Sequence, residues 1–194
     1  MEFQSWRLEN LISLYRETNP ALIYTILCYF NTLGAHPHGL FGERPKSSYK
    51  NLLHLIRKSS LSISPITIYG YNLLNQDGTP MRDYVHVAEF IHVHILSINL
   101  LLLSSRSDLI FNLGTGIAHG ILEVLSMYEE VTGISINLKL AKRRYYAAKS
   151  LIANAEYASV ILRWKPRNSL SEMIDYHIYY SKFIPQIYAI GYYG

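Results

Sequence analysis

The chain has 194 residues, of which 49% are hydrophobic, 16% are charged and 13% are aromatic. This composition excludes an intrinsically disordered chain, and the length fits one domain or part of a larger two-domain enzyme. The formal net charge of +4 favours an anionic ligand, but the lysines and arginines form no dense run, which argues against a nucleic-acid-binding patch.

Cysteine content and the N-terminus bear on the compartment. A single cysteine, Cys28, excludes an internal disulfide and is compatible with a reducing environment. Residues 1–11 have no basic region followed by an apolar core, so they do not resemble a secretory signal. The most apolar stretch, residues 95–103, is shorter than the roughly 18 residues that span a bilayer. We therefore expect a soluble, cytoplasmic protein without membrane contacts.

The first third of the chain predicts a helix, a strand and a long loop. Apolar residues recur at helical spacing from Trp6 to Glu17, and Asn19-Pro20 ends that helix. The β-branched and aromatic run LIYTILCYF, residues 22–30, predicts a buried strand. The Gly-, Pro- and His-rich segment after Asn31 has turn chemistry, and loops that follow strands commonly bind ligands in α/β proteins.

Helices and strands continue to alternate along the rest of the chain. A turn is predicted at Asp77-Gly78, and Gly133 is predicted to end a helix. Helices are predicted over 48–59, 88–104 (largely buried), 121–132, 155–162 and 169–180, and strands over 64–71, 82–87, 108–113 and 135–140. This alternation predicts a mixed α/β fold in one compact unit and argues against a helical bundle or a β-sandwich.

Four strings in register resemble the C-terminal half of UDP-glucose 4-epimerases, which are members of the extended short-chain dehydrogenase family. They are Tyr29-Phe30-Asn31 with GAHPHGLFGERP, then DGTPMRDYVHV, FNLGTG and LRWKPRNSLSEM. The resemblance implies a substrate-binding domain, residues 32–194, joined to the last part of a Rossmann-type NAD-binding domain, residues 1–31. It also implies interconversion of UDP-glucose and UDP-galactose in galactose metabolism, with NAD as the cofactor and a homodimer as the assembly.

The resemblance also implies that parts of the catalytic cycle are missing. Members carry an N-terminal GxxGxxG turn that binds the NAD pyrophosphate, and this sequence contains no such string. Counted back from Tyr29 without gaps, the catalytic YxxxK tyrosine and lysine fall at Met1 and Ser5. Epimerisation in this family passes through a 4-keto sugar, which needs a hydride acceptor and a general base. We therefore expect a truncated form that binds a UDP-sugar, while NAD binding and catalysis by this chain alone are not expected.

Several positions match the family's ligand contacts. Arg82 matches an arginine on the UDP diphosphate, with a surface ion pair as the alternative, and Asp83 is expected either to orient a loop or to stabilise its own turn. Tyr29 and Phe30 match the strand end that passes the nicotinamide, with core packing as the alternative. The remaining substrate positions implied by the resemblance are Asn31, Asn51, Leu52, Thr67, Ile68, Tyr69 and Arg144.

Other positions depart from the family pattern. Tyr145, Tyr146 and Ala147 stand where members show Glu-Gly-Asp, so the ribose-binding aspartate is absent, and Leu151 replaces a sugar-proximal Tyr or Cys. No metal site is expected, because residues two apart on a helix, such as His92 and His94, face different directions. His86 and His94 match histidines that are structural in the family.

Two alternatives stay open. The chain could be a non-catalytic UDP-sugar-binding module, or one that complements a separate NAD-binding chain, or it could be another sugar-nucleotide epimerase or dehydratase. Loss of the NAD-binding half would expose the apolar side of the first helix and strand, so we expect poor solubility.

Overall fold

A computed structural model of the chain describes residues 2–43, 51–61, 64–104, 108–143 and 148–189. Helices and strands alternate along these residues, which confirms the predicted α/β class. The helices are α1 (Glu2–Thr18), α2 (Leu52–Ser60), α3 (Val87–Ser104), α4 (Ile121–Thr132), α5 (Glu156–Ile161) and α6 (Leu170–Ala189). The strands are β1 (Thr25–Tyr29), β2 (Asn31–Leu33), β3 (Ile66–Tyr69), β4 (Met81–His86), β5 (Leu109–Leu113), β6 (Ala118–Gly120), β7 (Leu138–Ala141) and β8 (Ser150–Leu151).

The strands form small sheets in which most pairs are parallel. β1 pairs with β5, and β3 pairs with β7. β4 pairs in parallel with β2 and β8, and its first half pairs antiparallel with β6. Parallel neighbours need long crossover connections, and α3 supplies part of the crossover between β1 and β5. β4 therefore lies at the centre of the four-stranded sheet, and the β1–β5 and β3–β7 pairs are separate from it.

Two hydrophobic clusters hold the layers together. The first lies among α2, α4, α6 and β3, with Ile56, Ile68, Val124 and Ile174 at its centre. The second lies among α3, β5 and α5, and its largest member is Trp164. Each fully buried side chain of this kind contributes about 1.5–3 kcal/mol. β4 contributes to both clusters, through Tyr84 and Val85 respectively.

Most of the predicted elements are present, with some shifts at their ends. The helix Ile121–Thr132 ends at Gly133, whose φ of 68° is the left-handed conformation that glycine favours. The helix predicted over 48–59 begins at Leu52, and residues 48–50 lie outside the described part of the chain. The strand predicted over 135–140 begins only at Leu138. β2, β6 and β8 were not predicted, because strands of two or three residues are too short to show a periodic pattern. The expectation of a loop directly after Asn31 is therefore wrong, since Asn31–Leu33 pair with β4 and the loop begins after them.

The prediction that the helix over 88–104 is largely buried is wrong. The buried residues of α3 are Glu89, Val93 and Ser97. Ile95 and Ile98 are 52% and 53% exposed, and they form a stripe together with Ile91 and Leu102. One face of α3 packs on the second cluster and the opposite face is uncovered in the described residues. When a helix is apolar on most of its faces, its sequence does not indicate which face packs against another element.

α3 is also long enough and apolar enough to cross a bilayer, judged by length and composition alone. It is longer than the apolar stretch of residues 95–103 because helical residues precede that stretch. A single helix with these properties is weak evidence for a membrane segment, since core helices of soluble proteins share them. In this structure its inner face packs on protein.

Candidate functional site

A buried carboxylate on β4 organises the turn that follows β5. Asp83 is 0% exposed. One of its oxygens accepts hydrogen bonds from the Thr115 N–H and hydroxyl at 2.8 and 2.7 Å. The other accepts from the N–H groups of Gly116 and Ala153 at 2.9 and 3.1 Å. The carboxylate therefore orients a loop 32 residues away in sequence, which decides between the two alternatives for Asp83.

A buried histidine at the end of β4 holds the loop that follows β2. His86 Nε2 lies 2.9 Å from the Ala35 carbonyl oxygen, and burial lowers the pKa of its imidazole. A Cβ on Gly34, whose φ is +93°, would lie 2.5 Å from His86 Cδ2. The GAHPHG string thus needs its first glycine for both backbone conformation and space.

A third buried polar side chain connects α3 to the last of the four strings. Glu89 accepts a hydrogen bond from Trp164 Nε1 at 2.9 Å and one from the Arg167 N–H at 3.2 Å. Asp83, His86 and Glu89 therefore join one segment to the FNLGTG, GAHPHG and LRWKPRN strings. Much of the pattern that carries the family resemblance consists of buried polar contacts that fix the fold.

Arg82 presents a guanidinium without a carboxylate partner among the described residues. One nitrogen donates to the Met81 carbonyl oxygen at 2.7 Å and another to the Ala148 carbonyl oxygen at 3.0 Å. Burial lowers the pKa of Arg82 against the opposing effect of nearby Tyr84, and an arginine stays charged at any physiological pH. The surface ion pair considered for Arg82 is not observed in this part of the chain.

Two asparagines lie on β2 or bond to it, next to β4. Asn31 pairs in register with Tyr84, two residues beyond Arg82, and its side chain is exposed. Asn51 caps α2, since its side-chain oxygen accepts from the Leu53 N–H at 3.3 Å. Its amide nitrogen donates to the Thr32 carbonyl oxygen at 3.4 Å. Leu52 packs at the edge of the first cluster.

The parallel strands β3 and β7 end close to the start of β4. Thr67 and Tyr69 lie on the more exposed face of β3, whereas Ile68 is 2% exposed and packs in the first cluster. A ligand could therefore reach Ile68 only through its backbone. At the strand end, a Cβ on Gly70 would lie 3.2 Å from Pro80 Cγ and 3.5 Å from Arg143 Cγ. The two strand ends thus come together beside the segment that carries Arg82.

The two aromatic residues considered for a cofactor lie at the end of β1. Tyr29 packs on Phe90 of α3, with 3.7 Å between ring centroids, and its hydroxyl lies 2.9 Å from His94 Nδ1. Burial raises the pKa of Tyr29 to about 12. The Phe30 N–H donates to the Leu113 carbonyl oxygen at 3.1 Å. Tyr29 therefore contributes to the packing of α3 on β1.

Most of the predicted substrate positions lie close to β4 in the structure. Arg144 and Ala147 lie outside the described residues. Leu151, on β8, lies in register with Arg82 and sets an apolar side chain beside it. His119, which was not predicted, lies opposite Arg82 on β6 and is 2.8 Å from Glu123 Oε1. The short β6 gives no sequence pattern by which His119 could have been found.

One surface cleft lies away from these positions. It has a volume of about 550 Å³ and is lined by the Gly114–Gly116 turn, the start of α5 and Trp164. None of the predicted substrate residues lines it. Because Asp83 already bonds the N–H groups of this turn, the cleft offers few free donors on that side.

Comparisons with known proteins agree with this geometry. The profile of the "NAD dependent epimerase/dehydratase family" matches residues 7–115. The chain is 36% identical over 149 residues to UDP-glucose 4-epimerase 4 of Oryza sativa subsp. japonica, covering 76% of this chain and 40% of that protein. It is 32% identical over 168 residues to the UDP-glucose 4-epimerase of Yersinia enterocolitica, covering 86% of this chain and 49% of that protein.

Solved structures give the same relationship. The UDP-glucose-4-epimerase of Stenotrophomonas maltophila, with bound NAD and formylated UDP-arabinopyranose, superposes with a TM-score of 0.87 at 30% identity, covering 94% of this chain and 54% of that one. The UDP-glucose 4-epimerase of Bifidobacterium longum, in complex with NAD+ and UDP, gives 0.82 at 29% identity, covering 91% and 52%.

These relatives share the extended short-chain dehydrogenase fold, and the chain spans about half the length of the proteins it matches. The profile match, the sequence relatives and the superpositions agree with one another. The chain belongs to the NAD dependent epimerase/dehydratase family.

Proposed function

We propose that this chain forms the UDP-sugar-binding part of an NAD-dependent UDP-glucose 4-epimerase. The observation that carries the proposal is Arg82, a half-buried guanidinium whose bonds among the described residues go to two backbone carbonyls. A cation held in this way keeps donors available for an anionic ligand. A nucleoside diphosphate supplies the matching charge.

The surroundings of Arg82 suit the rest of a uridine nucleotide. The end of β3 presents the exposed aromatic ring of Tyr69 and the backbone of a strand, which can stack on a base and bond its edge. Asn31 and Asn51 supply amides that both donate and accept. In this proposal Arg82 binds the diphosphate, the asparagines orient it, and β3 lies along the uracil.

The Gly114–Gly116 turn does not fit the pyrophosphate of NAD. The glycine-containing turn beside the β1–β5 pair is Gly114–Gly116, and the N–H groups of Thr115 and Gly116 both donate to Asp83. A negative carboxylate at this position opposes a second anion. We therefore propose that these residues bind the UDP-sugar and that NAD requires groups beyond them.

The proposal is tested by calorimetric titration of the chain with UDP. Arg82→Gln removes the charge and most of the donors, so we expect UDP affinity to fall about tenfold to a hundredfold, since a hydrogen bond to a charged group contributes about 1.5–3 kcal/mol. Lys165→Gln removes the same charge from an exposed position in the LRWKP string and serves as the control.

The control is expected to retain wild-type affinity. If wild type shows no heat with UDP, or if both substitutions weaken binding equally, the diphosphate role of Arg82 is wrong. UMP is the matched ligand, because it lacks the second phosphate and should bind more weakly to wild type than UDP does. The Arg82→Gln protein should discriminate less between the two nucleotides.

A second candidate is a binding module without catalysis, and the occupied turn at Gly114–Gly116 favours it for the described residues taken alone. A dinucleotide retained by the purified protein, read from its ultraviolet absorbance and released with alkali, would contradict the binding module, whereas its absence is expected for both candidates. The identity of the sugar rests on the neighbourhood of Leu151, where an apolar side chain replaces a polar or larger one. Titration with UDP-glucose, UDP-galactose and UDP-glucuronate would rank these sugars and would separate a glucose epimerase from other sugar-nucleotide enzymes.

A further inference from the structure

Another cavity lies at the end of α2 opposite the proposed UDP-sugar site. Its volume is about 340 Å³, and it is lined by residues from the C-terminal parts of α2 and α4 and from the middle of α6. We call it the α2–α4–α6 cavity. Asn51 caps the opposite end of α2, and Asp77 and Thr79 bond the opposite end of α4. Asn51 is a proposed UDP contact and the nine-residue α2 is about 14 Å long, so the cavity lies about one length of α2 from that side of the proposed site.

The lining of this cavity is cationic and otherwise largely apolar. Arg57 and Lys182 contribute two positive charges, and no aspartate or glutamate is among its lining residues. Leu61, Val131 and Ile178 form part of the apolar wall. A volume of this size is at the lower end of the range for small-molecule sites.

The polar groups of the cavity are only partly satisfied. Arg57 donates one hydrogen bond, to the Ser181 carbonyl oxygen at 3.4 Å, and a guanidinium carries five N–H donors. The Ser181 side chain is more than nine-tenths buried, and its hydroxyl has no hydrogen-bond partner within the described residues. The remaining N–H donors of Arg57 can complete their hydrogen bonding with an acceptor placed in the cavity, whereas the Ser181 hydroxyl is too enclosed to contact one.

Charge arithmetic favours a monoanion. The C-terminal ends of α2 and α4 face this region, and each helix end is equivalent to about −0.5 of an elementary charge. Two helix ends offset about one of the two full positive charges, which leaves a net charge near +1. His177, a buried neighbour of Arg57 on α6, adds no charge at neutral pH, because burial first and the charge of Arg57 next lower its pKa to about 4.

From the lining, the unsatisfied donors and this charge, we infer that the α2–α4–α6 cavity binds a small organic monoanion that carries an apolar body, with its acidic group at Arg57 and Lys182. The class is that of aryl or short alkyl carboxylates, whose planar carboxylate matches the guanidinium fork. Nothing in this inference depends on UDP-sugar binding.

The test is a calorimetric titration of the full chain with sodium benzoate, with benzyl alcohol as the neutral probe of similar shape. We expect benzoate to bind and benzyl alcohol to bind at least about tenfold more weakly. Lys182→Gln should weaken benzoate binding about threefold or more, and Arg57→Gln about tenfold or more. Lys182 is exposed, so its substitution leaves the fold intact.

Lys58→Gln is the matched control, because it removes a charge one residue from Arg57 without lining the cavity. It should leave benzoate affinity unchanged. The inference is overturned if wild type does not bind benzoate, if benzyl alcohol binds equally well, or if Lys58→Gln weakens binding as much as Lys182→Gln does. Saturating UDP should not displace benzoate, and competition between them would also overturn the inference.

Discussion

Individual polar side chains on β4 and α3 explain why separate sequence strings occur together. Asp83, His86 and Glu89 each leave the same segment and bond a different part of the chain. A buried polar group that lacks its hydrogen-bond partner lowers the stability of the fold by about 1–3 kcal/mol. Each of these side chains therefore requires the particular partner that it bonds. Arg82 differs from them, because its bonds within the described residues go to backbone carbonyls, and this contrast separates structural residues from candidate ligand contacts.

The Asp83 contacts predict a large loss of stability on a small chemical change. Asp83→Asn replaces one acceptor oxygen with an NH₂ group that faces N–H donors, so we expect the free energy of unfolding to fall by about 3 kcal/mol. Urea denaturation measures this as a lower midpoint at an unchanged slope. Asp175→Asn makes the same change at an exposed position of α6 and should have little effect. Equal losses in the two variants would show that the Asp83 network is unimportant.

His177 predicts how stability depends on pH. Its folded-state pKa is about 4, lowered from 6.5 by burial first and by Arg57 and His54 next, so between these values the unfolded chain binds a proton that the folded chain excludes. The contribution is therefore complete above pH 6.5 and is lost as pH falls towards 4. A shift of this size corresponds to about 3 kcal/mol.

The measurement is urea unfolding at several pH values between 4 and 7. His177→Gln should show a flatter decline of stability with falling pH than wild type. His38→Gln makes the same substitution at an exposed position and should keep the wild-type dependence. Parallel declines in all three proteins would mean that the burial of His177 does not control acid sensitivity.

Among the elements, α3 exposes apolar residues in a regular pattern. Ile91, Ile95, Ile98 and Leu102 follow helical spacing on its outer face, and α1 likewise exposes Leu11 and Leu14. Within the described residues β1 pairs with β5 alone, so its other edge is also open. Such surfaces promote association, and the expected poor solubility stays a prediction.

We expect Ile95→Glu to lower the apparent mass of the purified chain in analytical ultracentrifugation, because a charge interrupts the stripe. Its stability should change by less than about 0.5 kcal/mol, since the residue is half exposed. Ser126→Glu adds the same charge to the exposed face of α4 and removes no apolar stripe, so it should leave the apparent mass unchanged. A wild-type chain that is already a monodisperse monomer would contradict the prediction.

How well an element could be predicted depended on whether its signal was local. Gly133 and the helix before it were predicted correctly. Their signals, a glycine cap and a 3.6-residue hydrophobic period, are both contained in a short stretch of sequence. The uncovered face of α3 could not be predicted, because an all-round apolar helix carries no sequence signal for the face that packs on the rest of the protein. The sequence does not choose between the two alternatives for Asp83, since its donors lie 32 to 70 residues away.

For the whole molecule, the sequence pattern predicted the fold class and the family through strings whose side chains contact each other in space. The candidate site was predicted as separate positions. The pairing of β2 and β8 with β4, and the approach of the end of β3 to the loop before β4, bring them together. The division of the chain at Asn31, the NAD cofactor, the cytoplasmic location and the homodimer stay predictions. The α2–α4–α6 cavity has no local sequence signature, because its three helices are far apart in the chain.

The most direct test of the central claim is a crystal structure of the chain with UDP bound. We predict the diphosphate within hydrogen-bonding distance of the Arg82 guanidinium and the uracil along β3, beside Thr67 and Tyr69. Density for UDP in another place, such as the α2–α4–α6 cavity, would contradict the claim. So would the absence of UDP from crystals grown at saturating concentration.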